Sequence, residues 1–155
     1  MVLRRFFRIA AGAVLLAGMA LCAQPPAHAQ TRLDDRDLKQ IMRNLHEDAK
    51  DFRSAFDASI KKSAIRNTSQ DKDARGLAEQ FEKQTEEMYS HFKDSKRADA
   101  YVWPVVRSAG DLDRMVYALG LDSKTTLSWE KARSELHQIA LSYGVNEPYS
   151  QSVSR

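Results

Sequence analysis

Between residues 98 and 119 the apolar side chains fall at Ala98, Val102, Val105, Ala109, Leu112, Val116 and Leu119, in alternating steps of four and three. That spacing suits an α-helix with one apolar stripe, which is stable only when the stripe is buried against other helices. Three further segments carry the same period. Leu38, Ile41, Met42, Leu45, Ala49, Phe52, Phe56 and Ile60 form the first stripe. Ala74, Leu77, Ala78, Phe81, Met88 and Phe92 form the second. The last comprises Trp129, Ala132, Leu136, Ile139, Ala140 and Tyr143. No segment alternates with the period of two that a strand requires. The spacing predicts an all-α, antiparallel, up-down-up-down four-helix bundle with short turns.

Helix boundaries are marked in the same way. Asp34 and Asp35 suit the N-terminus of the first helix, Thr68 or Ser69 that of the second, and Asp122 or Ser123 that of the fourth. Gly120 and Gly144 are placed to end the third and fourth. Pro104 interrupts the heptad, so the third helix either starts late, with Pro104 near its first turn, or bends there.

The N-terminus sets the expected compartment. Arg4, Arg5 and Arg8 precede an apolar run, Ile9 to Leu21, which is shorter than the roughly 20 residues of a permanent span. Pro25 and Pro26 follow, and Ala27-His28-Ala29 is a small-x-small cleavage site. Residues 1–29 are therefore expected to be a cleaved signal peptide, 30–145 the bundle domain, and 146–155 a flexible tail without periodicity. Cleavage after Ala29 leaves no transmembrane anchor and gives a soluble periplasmic or secreted protein. Lipidation at Cys22 is the alternative, although Leu21 is a poor residue to precede it. The Arg4-Arg5 pair leaves the general and twin-arginine export routes both open.

Processing also changes the charge. The full chain is +3, with 24 Lys and Arg against 21 Asp and Glu. Losing Arg4, Arg5 and Arg8 and no acid makes the mature domain neutral. A nucleic-acid binder keeps a basic surface, so nucleic acid is excluded as a partner. The only cysteine, Cys22, leaves with the signal, and with it any disulfide, thiolate nucleophile or cysteine metal ligand.

The string NLHEDAKDFRSAFDASIKKS, then FEKQTEEMYSHF, VVRSAGDLDRMV and WEKARSEL, resembles a family of small exported bacterial helical-bundle proteins. Phe52, Phe56 and Asp57 fit its first element; Trp129, Arg133, Leu136, Ala140 and Tyr143 fit its last, with Ile139 in place of a leucine. The resemblance covers residues 44–145 and implies an exported bundle without implying an activity.

Chemistry-bearing residues are few. Carboxylate-bridged metal bundles need Glu-x-x-His pairs, but Arg43, Met88 and Ser134 stand three residues before His46, His91 and His137. Glu87 and His91, one turn apart, read as a surface pair. No His-Glu-x-x-His helix, phosphate-binding glycine loop or nucleophile elbow occurs, so the chain is read as a non-enzyme without a cofactor or metal site, with a binding or envelope-associated structural role. One alternative names atoms. Met42 near the start of the first helix and His137 near the end of the last are similar to the axial ligands of cytochrome b562-type bundles, which implies non-covalent haem b and electron transfer. Position argues against it, because Met42 lies in its apolar stripe as a core residue does and His137 lies on the flank of its own. Tyr101, Trp103 and Pro104 are the candidate surface for an unidentified protein or small-ligand partner.

Overall fold

The computed structural model describes residues 33–148. The expected signal segment, with Cys22 and Ala29, and the end of the tail lie outside them. Four helices follow one another: α1 (Asp35–Ile60), α2 (Ser69–Ser95), α3 (Asp99–Ala118) and α4 (Ser123–Ser142). Cross-helix contacts fix their directions. Along α1 and α4, Ser59 meets Asp122, Ala55 meets Thr125, and Asp48 meets Lys131, so the numbers rise on one helix as they fall on the other. Asp57 with Arg75 and Arg53 with Glu82 give the same sense for α1 and α2. Gln84 with Ser108 and His91 with Tyr101 do so for α2 and α3. Each helix packs beside its neighbour in sequence, and α4 closes the ring on α1. This is the antiparallel four-helix bundle that the four stripes require.

The caps account for the ends. Asp34 accepts from the Arg36 and Asp37 amides at 2.9 and 2.8 Å, Thr68 caps α2, and Asp122 accepts from the Thr125 amide at 2.9 Å. Such side-chain caps satisfy amides that a helix start otherwise leaves unpaired. α3 has none; the Ala98 carbonyl accepts from the Tyr101 and Val102 amides instead. Pro104 is the sixth residue of α3, just past the first turn, and its missing N–H leaves free only the carbonyl of exposed Ala100. Gly144 has a φ of +64° and ends α4. Its amide bonds to the Leu141 carbonyl and the Val145 amide to the Ala140 carbonyl, at 3.2 and 2.9 Å, the paired closure of a Schellman motif.

The stripes are the core. Leu38, Met42, Leu45, Phe52, Phe56 and Ile60 of α1 are fully buried, as are Phe81, Met88 and Phe92 of α2. Val102, Val105, Val106 and Leu112 of α3 and Leu136 and Ile139 of α4 complete it. At mid-height the Trp129 ring sits 4.9 Å from Phe52 and 5.5 Å, edge-on, from Phe81. Tilted and edge-to-face pairs of this kind add about 0.5–1.5 kcal/mol each beyond burial. Periodicity gave no reason to expect order beyond Tyr143. Val145 nevertheless packs on the core and Glu147 is buried.

Candidate functional site

Polar groups inside the bundle are committed to holding helices together. Trp129 Nε1 donates to Asp113 Oδ1 at 2.9 Å, and Arg133 Nη1 lies 3.2 Å from the same oxygen. Arg133 also donates to the Tyr117 hydroxyl and to Glu130. Burial and the hydrogen bond to Glu130 push the Tyr117 phenol up. Arg and Trp donors converging on one buried carboxylate form a clamp between α3 and α4.

A second polar node lies on the α1–α4 seam. Lys131 Nζ, at the surface, reaches buried Asp48 Oδ1 at 2.5 Å, which raises the Lys131 ammonium. Glu135 stands beside Asp48. Burial and the Asp48 carboxylate push the Glu135 carboxyl up to about 8. Asp48 Oδ2 and Glu135 Oε2 are buried without a hydrogen-bond donor; a proton on Glu135 supplies one.

The histidines do not gather. His46 is buried between α1 and α2 with Nδ1 3.5 Å from Thr85 Oγ1. Since the Thr85 hydroxyl already donates to the Glu82 carbonyl at 2.7 Å, His46 Nδ1 is the donor in that contact. Desolvation lowers its pKa. His91 stacks on Tyr101 with ring centroids 4.0 Å apart, and the Tyr101 hydroxyl is 2.7 Å from His91 Nε2. Among the described residues no three His, Asp or Glu side chains come together as a metal site.

Met42 and His137 lie at the same level of the antiparallel α1–α4 pair, as their sequence positions require, but they face different surroundings. Met42 is wholly inside the core. The His137 side chain is 52% exposed, with Nδ1 2.6 Å from Glu147 Oε2. Haem ligation by this pair would need His137 to turn inward and abandon the Glu147 carboxylate.

Tyr101, Trp103 and Pro104 separate in the same way. Tyr101 is half-buried and spent on His91, whereas the Trp103 indole is 55% exposed. On one side of it lies a depression of about 350 Å3 bounded by Leu77, Gln80 and Gln84 of α2 and by Pro104 and Ser108. Another of about 350 Å3 lies on the other side, toward Gly110, Arg114 and Pro148. Trp103, Arg107 and Asp111 border both. A third depression, about 450 Å3, is also lined by Asp111 and Arg114, together with Ile65, Met115 and Leu119. Sequence reasoning identified Trp103 by its neighbours but missed Arg107 and Asp111, whose spacing of four along the exposed face of the helix was the available signal. No helix among the described residues is long and apolar enough to cross a membrane.

No protein-family model, curated protein or solved structure matches the chain.

Proposed function

We propose that this is an exported, non-catalytic helical-bundle protein that binds its partner on the outer face of α3, at Trp103. The observation that carries the reading is the contrast between the two indoles. Trp129 is fully enclosed and hydrogen-bonded, while Trp103 stands more than half exposed between two depressions. Large aromatic side chains left in water beside concave surface are typical anchors of recognition. The signal-like segment 1–29 supports export, and the commitment of Asp113, Arg133 and Thr85 to packing supports a role without catalysis. Haem is not carried forward, because the exposed His137 ring is held on the Glu147 carboxylate while Met42 is enclosed in the core.

A comparison of surface variants tests this. Immobilised mature protein is exposed to the soluble exported fraction, alongside Trp103→Ala and Leu127→Ala, the latter removing an exposed apolar side chain on α4. The reading expects a retained component that Trp103→Ala loses and Leu127→Ala keeps. Equal retention by the wild type and Trp103→Ala would overturn it.

A further inference from the structure

The depression between Trp103 and Pro148 has a composition that selects a ligand class. Its apolar lining comes from the exposed Trp103 of α3 and from Pro148, with buried Gly110 also contributing. Its charges are Arg107, Asp111 and Arg114. Arg114 is ion-paired with Asp111, whereas Arg107 has no carboxylate partner among the described residues. The depression therefore offers two apolar surfaces and one uncommitted guanidinium.

The Pro148 wall is fixed rather than free. The Schellman closure at Gly144 turns the chain off α4, and the Glu147 carboxylate, only 3% exposed, is held 2.6 Å from His137 Nδ1. Pro148 is thus tethered immediately beyond a buried anchor, and it lines the depression together with residues of α3. The site is assembled from α3 and the segment after α4.

We propose that this depression binds a small organic anion, with a flat apolar body between Trp103 and Pro148 and its anionic group on Arg107. The inference names the ligand class for the α3 face and rests on the reading of that face given above. A cation is disfavoured by the guanidinium excess. A purely inorganic anion would leave the indole and proline walls unused. About 350 Å3 accommodates a bicyclic aromatic acid but is too small for a docked helix.

The test uses the mature protein and two probes of the same shape, 1-naphthoate and neutral 1-naphthamide, titrated by calorimetry and followed by tryptophan fluorescence. Saturable 1:1 binding of naphthoate, about tenfold tighter than naphthamide, is expected from one charge-assisted contact. Arg107→Gln, at an exposed position where folding is not at stake, should bring naphthoate down to the naphthamide affinity. Glu147→Gln, which loosens the Pro148 wall, should weaken both probes together by about threefold or more. The inference is overturned if naphthoate does not saturate, if the two probes bind equally, or if either variant leaves naphthoate binding unchanged. Failure here with retention through Trp103 intact would leave the binding face standing and remove only the ligand class. Failure of both would remove the face itself.

Discussion

The Trp129 indole donates its single proton to Asp113, and both side chains are buried between α3 and α4. This bond explains the sequence signature at the end of the chain. Trp129 and Arg133, one turn apart on α4, project to the same face and meet one carboxylate on α3. The signature records packing.

Removing Asp113 should therefore be severe. Asp113→Ala takes from Arg133 one of its two carboxylate partners and from Trp129 Nε1 its acceptor, with an expected cost of about 2–4 kcal/mol. Urea unfolding followed by circular dichroism measures it. A loss under about 1 kcal/mol would mean that the clamp contributes nothing beyond ordinary burial.

The Asp48–Glu135 pair makes stability depend on pH in a direction unusual for a carboxyl group. Glu135 titrates near 8 in the fold and near 4.5 unfolded, so between these values the folded state holds the extra proton. Its contribution is fully present below about 4.5 and is lost as pH rises through 8. Glu135→Gln removes the titration. The difference in urea midpoint between this variant and the wild type should swing toward the variant from pH 5 to pH 9. A difference independent of pH would contradict the shared-proton arrangement.

His46 has the opposite slope. Burial lowers its pKa, so below its ordinary value of 6.5 the unfolded chain binds more protons and stability falls as pH falls. An NMR titration of the His46 ring should show a midpoint below 6.5. A midpoint at or above that value would mean that the ring is solvated and the Thr85 contact is not formed.

The proposed export makes a prediction about mass. The mature protein should begin at Gln30, with all of Arg4, Arg5 and Arg8 removed. Intact-mass measurement of protein from the exported fraction checks it. A chain starting at Cys22 with added acyl mass would place the protein on a membrane surface instead.

The fold was legible because each stripe is a local property. Leu38 to Ile60 and Ala98 to Val116 mark their buried faces without reference to any partner. Thr85 and Thr125 hold stripe positions too, four residues from Phe81 and from Trp129, but a hydroxyl conceals them from an apolar pattern. Their hydroxyls donate to backbone carbonyls: that of Glu82, one turn back on the same helix, for Thr85, and that of Ala55 on α1 for Thr125. Asp48, Asp113 and Glu147 were hidden for the same reason. Each is buried because a cation or donor from another part of the chain reaches it, and pairing of that kind has no period. At the candidate site Tyr101 and Trp103, two residues apart, could not share a helix face. One turns to α2 and the other to water, and only the assembled bundle shows which.

The most direct test of the α3 face as a meeting point is photocrosslinking in intact cells. A photoreactive phenylalanine replaces Trp103 in one strain and exposed Leu127 in another, and adducts are compared after irradiation. The account expects a discrete adduct from position 103, confined to the processed protein, with none from 127. No adduct at 103, or the same adducts at both positions, would contradict it.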